Sequence, residues 1–392
     1  MSPRALGWLP SAGVPVELEQ LRALWRERDP ASDLAQALQT RLSAYQVVLR
    51  ASGRDALALL LESAARESGR DEVVVPAYTC YSVPAAAVSQ GLRVRLVDVG
   101  ASGQIDPDAL ARLPLERACA VVVCNLFGIA EPVAPIRALA ERHGALAIDD
   151  AAQAFGAVAA DGAAGARGHA GLLSFGRAKP LSGLGGGALV LQQWPGALHA
   201  ALDPAPARAR ALLRAAAYNA ALHPLVFRLL ASIPALGIGE THFDCEFGRG
   251  PIDSAAVALA ASALPHADAA ADARAERAAE IALRLHERTS LRALLPPAGA
   301  RAVFPRLFAL APDGVSRDAA LAALRRVGAG ATSMYPCSLA RVRALEAERV
   351  GAAECPGADA LAARLLTLPA HEGLSGPRLE AAVAAVARVC PR

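Results

Sequence analysis

The chain has 392 residues, of which 54% are hydrophobic and 20% charged, with a formal net charge of +3. That length suits one large enzyme subunit of two domains, and the composition excludes a disordered chain. The charge is mild and the arginines are scattered among acids, which argues against a nucleic-acid binder; much of the apolar fraction is Ala, so the hydropathy does not imply a membrane protein.

In chain order, residues 1–45 read as an irregular start with one short helical stretch at 18–28. Periodicity predicts a helix over 56–67, after Ser52-Gly53-Arg54-Asp55, and a buried strand over 72–76. A helix follows at 81–90 and a strand at 93–99. Residues 120–124 read as a strand, 132–143 as a helix and 145–149 as a strand ending in acids. Two more strands are expected at 172–175 and 188–191. Strands alternating with helices predict an α/β fold, a mostly parallel sheet between layers of helices. Polar groups fall at its strand ends: Tyr78-Thr79, Asn125, Asp150 and Lys179. Open α/β sheets bind ligands at those ends.

Residues 204–240 are strongly apolar but interrupted by Pro224, Pro234, His223 and Arg228. They are too broken to span a bilayer. The segment reads as a helical cover or subunit contact, with shallow membrane contact as the alternative. One long Ala-rich helix is expected over 255–287, then a smaller α+β region with elements near 302–310, 317–327 and 378–389. The expected division is a large domain over 1–245 and a small C-terminal domain over 246–392. Seven cysteines form no CxxC pair, and His and Cys nowhere cluster at ligand spacing. This predicts a cytoplasmic protein with no zinc site. The first residues, Met1-Ser2-Pro3-Arg4, lead into no apolar core of signal-peptide type.

Lys179 is the single lysine among 40 basic Lys and Arg residues. Arginine keeps its charge, whereas a lysine can lose its proton and attack a carbonyl carbon. Taken alone, it could equally be a surface residue of an arginine-biased chain. It follows Ser174-Phe175-Gly176-Arg177-Ala178 and precedes a glycine cluster, Gly185-Gly186-Gly187. Upstream lies Asp149-Asp150-Ala151-Ala152-Gln153, where a carboxylate and an amide three residues on can serve two atoms of one planar cofactor.

This combination resembles the DegT/StrS family of pyridoxal-phosphate sugar aminotransferases, which have the fold-type I architecture. Ser52-Gly53-Arg54-Asp55 is similar to the family's phosphate loop, Val75-Pro76-Ala77-Tyr78-Thr79 to its strand-and-turn motif, and Leu368-Pro369-Ala370-His371 to its closing motif. The resemblance implies that Lys179 holds pyridoxal 5'-phosphate as a Schiff base and moves the proton, and that Asp150 pairs with the ring nitrogen. It implies that Gln153 donates to the ring oxygen, while Ser174 and the N–H groups of Gly53 and Arg54 bind the phosphate. Thr79 contacts the cofactor or shapes the turn, and Cys80 covers the ring or simply packs. Arg249 and Tyr335 are candidate substrate contacts. The implied reaction moves an amino group from an amino acid, glutamate or glutamine, to a keto-sugar or other carbonyl acceptor, in a homodimer.

Four departures bear on substrate and subunit contacts. Arg54 replaces a threonine. Phe247-Gly248-Arg249 lacks the asparagine that in the family reaches the partner's phosphate. Ser338-Leu339-Ala340 lacks a histidine tied to sugar recognition, and the glycine turn lacks an acid. Alternative readings are a pyridoxal-phosphate lyase or condensing enzyme on a non-sugar substrate, and a weakened non-catalytic homologue. A nicotinamide dehydrogenase is disfavoured because no GxGxxG follows a first strand.

Overall fold

The computed structural model describes residues 7–25, 30–194, 198, 208–233, 236–237, 242–351 and 354–392. Its first half comprises α1 (Leu18–Ala23), α2 (Pro30–Arg41), β1 (Gln46–Arg50), α3 (Gly53–Ser68), β2 (Glu72–Pro76), α4 (Ser82–Val88), β3 (Arg93–Val97), α5 (Pro107–Ala111), β4 (Ala118–Cys124), α6 (Ala134–Arg142) and β5 (Leu146–Asp150). A short hairpin, β6 (Val158–Ala159) with β7 (Gly162–Ala163), leads to β8 (Ala170–Ser174) and β9 (Gly187–Leu191). Then come α7 (Arg208–Leu222), α8 (Pro224–Ala231), α9 (Ser254–Ala263), α10 (Ala267–Arg288), β10 (Arg292–Ala293), β11 (Arg306–Leu310), α11 (Gly314–Arg326), β12 (Arg349–Val350), α12 (Pro356–Arg364), β13 (Leu365–Pro369) and α13 (Gly376–Ala387).

Eight strands form the main sheet in the order β1-β9-β8-β5-β4-β2-β3-β12. From β8 to β12 all neighbours are parallel, while β9 runs antiparallel to both β8 and β1. The sheet is buried on both faces, so its strands read as continuous apolar runs. Val122 and Ile148 pack toward α3 and α4, whereas Val121 and Val123 pack toward Ile136 and Leu139 of α6. The sequence reading of a mostly parallel sheet between helices matches this architecture. A second sheet, β10-β11-β13, packs against α10, α11 and α13.

The structure adds α2, which the sequence reading leaves inside an irregular start, and β1, over residues that reading assigns to no element. Leu34 and Leu38, both buried at helical spacing, are the signal that reveals α2. The expected helix at 18–28 is confined to α1, and residues 26–28 of that expectation lie outside the described residues. The single long helix expected over 255–287 is two. Pro265 has no N–H and its ring clashes with the preceding turn, so Leu264–His266 forms a 3₁₀ turn between α9 and α10. In the 204–240 segment the helices are α7 and α8; residues 204–207, 234–235 and 238–240 lie outside the described residues. Among the described residues no helix is long and apolar enough to cross a membrane.

Candidate active site

Side chains alternate along a strand, and that alternation decides which acid faces which way. Asp150 shares the face of Ile148, and Ser174 the face of Leu172, both turned toward α3. There the strand ends open into a cavity of about 470 Å³. Gly53, Arg54, Cys80, Asp150, Ser174 and Lys179 all line it. These six are expected site residues drawn from five separate segments of chain.

One wall is the N-terminus of α3. Ser52 caps it, accepting the Asp55 N–H at 3.1 Å, which leaves the Gly53 and Arg54 N–H groups at the helix end. A helix N-terminus of this kind favours an anion. The backbone comes unusually close here. A Cβ at Gly53 would lie 2.9 Å from the Ser174 Cβ, and one at Gly187 would lie 2.5 Å from the Gly53 nitrogen. The glycine turn is therefore a packing requirement: only residues without side chains let β9 lie against this helix start. Gly186 seals it, donating its N–H to the Ala51 carbonyl at 3.1 Å.

Lys179 is half-buried in the turn between β8 and β9. Ala178 before it has a left-handed backbone, φ 61°. A non-glycine residue held there carries a cost of about 1–3 kcal/mol, a strain often found where a neighbouring side chain must be aimed. On the floor, Asp150 accepts the Ala152 N–H at 2.8 Å. Burial is the larger effect on its carboxyl and pushes it up to about 6, against that N–H and the Lys179 charge.

Phe247 and Gly248 close the remaining side. Arg54 holds this loop, donating to the Asp244 carbonyl at 3.2 Å with its guanidinium 5.1 Å from the Phe247 ring centre. Arg249 is turned elsewhere: it pairs with Glu62 at 3.0 Å and Asp55 at 3.6 Å and is not among the cavity-lining residues. Cys80 lines the cavity and its sulfur accepts from the Ser82 hydroxyl at 2.9 Å. Thr79 is buried and does not line it. Gln153 also lies behind the wall, where its Nε2 donates to the Tyr335 hydroxyl at 3.0 Å. The two candidates are thus tied to each other, with the Tyr335 ring packed between Tyr78 and Tyr81.

Asn125, expected at the crevice, is buried on the opposite side. Its Nδ2 donates to Asp149 at 2.6 Å, and its Oδ1 accepts from Arg167 Nη2 at 2.6 Å. Arg167 reaches Asp149 through Nε and Nη2, both at 3.0 Å, and donates to the Glu131 carbonyl at 2.6 Å. Sequence reasoning missed this network; a fully buried acid beside Asp150 requires a cation, but nothing in the spacing points to Arg167. Glu131 accepts the Ile105 N–H at 2.5 Å, and burial pushes its carboxyl up to about 8.

A small hollow of about 10 Å³ on the far side of Lys179 is shared with Ala178, Arg274 and His371. Arg274 is buried there; its Nε donates to the Val303 carbonyl at 2.8 Å, and its Nη2 has no hydrogen-bond partner. Burial pulls its guanidinium down to about 10. Among the described residues no cluster of His, Cys, Asp and Glu could hold a metal ion.

The residues fit the expected cofactor. An amine, a carboxylate beneath it and an anion cradle converge on one cavity, and the cradle exists only because Gly53 lacks a Cβ.

Comparison with known proteins gives the family and the fold. The profile described as the DegT/DnrJ/EryC1/StrS aminotransferase family matches residues 20–200 and 250–387. The "pleiotropic regulatory protein" of Geobacillus stearothermophilus is 29% identical over 164 residues, 41% of this chain and 44% of that protein. The UDP-N-acetyl-3-dehydro-alpha-D-glucosamine 3-aminotransferase of Acidithiobacillus ferrooxidans is 33% identical over 151 residues, 36% of this chain and 38% of that one. The matched region thus spans less than half the length of these relatives. The structure of Helicobacter pylori PseC, an aminotransferase of pseudaminic acid biosynthesis, superposes with a TM-score of 0.77, covering 98% of this chain and 99% of that one at 18% identity. At that identity the likeness shows the fold.

Proposed function

The chain belongs to the DegT/DnrJ/EryC1/StrS aminotransferase family, and from that membership we propose that it is a pyridoxal-phosphate-dependent aminotransferase. It moves an amino group from an amino acid, which leaves as the 2-oxo acid, to the carbonyl carbon of an acceptor of the keto-sugar class. The convergence of Lys179, Asp150, Ser174 and the start of α3 on one cavity carries this reading. The 3-dehydro-sugar in the name of the Acidithiobacillus relative supports the acceptor class.

When bound, the cofactor supplies an aldehyde carbon and a ring that withdraws electrons from the substrate carbon. The chain's own groups do the rest. The Lys179 amine would hold that aldehyde carbon and carry a proton to and from the donor's α-carbon. The Asp150 carboxylate would pair with the ring nitrogen and keep its proton in place, which would draw Asp150 back toward its ionised form. The Ser174 hydroxyl and the Gly53 and Arg54 N–H groups would hold the phosphate. Cys80, on the cavity wall, would cover the ring or simply pack, and Phe247 with Gly248 would narrow the mouth. Gln153, held by Tyr335, positions the wall behind. The working unit in this reading is a cytoplasmic homodimer; the seven free cysteines support the compartment, and family membership the dimer.

The test is direct. The purified protein is incubated with pyridoxal 5'-phosphate, reduced with borohydride and digested, and the adduct is mapped by mass spectrometry. In parallel, transfer of ¹⁵N from labelled glutamate or glutamine to a 3-keto nucleotide sugar is followed. The expected adduct sits on Lys179. Labelling at any other residue, or none, removes the reading.

A further inference from the structure

The α7–α8 hairpin lies outside the matched part of the chain, since the family profile stops at residue 200 and resumes at 250. None of its described residues lines the cavity where Lys179 and Asp150 converge. The eight residues of α8 include one charge, Arg228, and none of them is buried. The inward face of α8, with Phe227 and Leu230, rests over a separate cavity of about 720 Å³. Its outward face is just as apolar. Leu225 is 54% and Leu229 66% exposed, one turn apart, with Val226 and Ile233 exposed beside them. A helix that is apolar all round belongs in a core or against lipid, and this one stands at the surface.

The hairpin is fixed in place, so it cannot fold this face away. Trp8 donates its N–H to the Pro224 carbonyl at 3.0 Å, Asn219 exchanges two hydrogen bonds with the Val16 backbone at 2.8 and 2.9 Å, and Arg214 donates to the Leu184 carbonyl at 2.7 Å. The charges around it have one sign. No acid stands between Asp203 and Glu240, a stretch that carries Arg208, Arg210, Arg214 and Arg228. Of these, Arg214 pairs with Asp253 at 3.2 Å. Beneath α8, Arg177 and Arg325 are exposed and line the cavity together with Phe227 and Leu230, and none of its described lining residues is acidic.

We propose that the hairpin is a membrane-docking surface, and that its partner is a bilayer containing anionic phospholipid. Leu225, Leu229 and Ile233 enter the boundary between headgroups and acyl chains, and the arginines on and around α8 meet the lipid phosphates. The hairpin lies on the bilayer and does not span it: the eight residues of α8 run about 12 Å, against a hydrocarbon core of about 30 Å. Charge selects this occupant over a second copy of the chain. Across a two-fold axis the basic face of one hairpin would meet the same basic face of its twin, with no acid between Asp203 and Glu240 to answer it. A negatively charged bilayer answers every arginine at once. The inference does not depend on the proposed transamination.

The experiment floats the full-length, cofactor-loaded protein with vesicles of phosphatidylcholine alone and with vesicles that are roughly one-third phosphatidylglycerol. At low salt, partition onto the anionic vesicles is expected to exceed that onto the neutral ones at least about 10-fold, the scale that two surface arginines supply, and to fall as salt is raised. Leu225→Ser combined with Leu229→Ser is expected to lower binding to the anionic vesicles at least about 10-fold. Arg228→Gln combined with Arg325→Gln is expected to bring it down to the level on neutral vesicles. All four side chains are exposed, so both variants should keep the parent's melting midpoint. If the double leucine variant does not fold, Leu229→Ser alone is read in its place. Equal binding to the two kinds of vesicle, or binding unchanged in the leucine variant, overturns the inference. Light scattering without lipid is read on the same proteins. A parent particle that loses mass in the leucine variant gives the face to a second copy and likewise overturns it.

Discussion

Asp149 and Asp150 are chain neighbours with opposite surroundings. Asp149 is fully buried and meets the Asn125 amide, the Gly165 and Arg167 N–H groups and the Arg167 guanidinium. Asp150, one residue on, has the Ala152 N–H and a distant Cys124 thiol at 3.9 Å. Both are carboxylates at the end of β5, and the pleat alone sends one into a structural network and the other into the cavity. A buried acid with a full set of donors holds the fold; a buried acid left short of partners awaits one from outside the chain.

That contrast can be broken from either side. The largest expected effect is on the cavity side: Lys179→Ala should lower transamination by at least about 10⁴-fold, since it removes both the covalent anchor and the proton carrier. Its chemical melting midpoint should match that of the parent protein. On the network side, Arg167→Met should leave Asp149 charged and unpaired, costing about 3–5 kcal/mol in urea unfolding. A loss under about 1 kcal/mol would show that Asp149 does not depend on this pairing. Asp150→Asn should cut turnover roughly 10²–10³-fold by removing the charge that faces the ring nitrogen.

The same Asp150→Asn variant sharpens the comparison through pH. The Asp150 carboxyl is raised from 3.8 to about 6 in the folded, cofactor-free protein. Between those values the folded state binds more protons than the unfolded chain, so its contribution to stability falls as pH rises through about 4 to 6. Asp150→Asn without cofactor should therefore melt about 2–4 °C above the parent at pH 8, with the gap closing at pH 4. A gap that stays constant across that range would detach it from Asp150 ionisation.

The cavity side was legible in the sequence because its parts sit at strand ends in chain order. Asp150, Ser174 and Lys179 follow runs whose apolar residues announce β5 and β8, and Gly53 opens a strongly periodic helix. What failed to show were contacts made by long side chains across the fold. Arg167 sits in a loop with no period, and only the folded chain brings its guanidinium to Asp149. The same holds for Gln153, whose amide is taken by Tyr335 from 182 positions away. Arg249 was expected near substrate by motif, yet Asp55 and Glu62 on α3 outcompete the cavity for it. The α2 helix was missed for a weaker reason: its Leu34 and Leu38 make a short stripe easily lost in an Ala-rich stretch.

One consequence follows from where the chain keeps its only lysine. Acylating, glycating or carbamylating agents have a single side-chain amine to find, and it is half-buried beside the cavity. Surface damage of that kind, which elsewhere accumulates without harm, here has one address. The bond on the lysine's carbonyl side is Lys179–Pro180, in the turn joining β8 to its antiparallel neighbour β9, so the one lysine also offers proteases that cut after lysine a poor site.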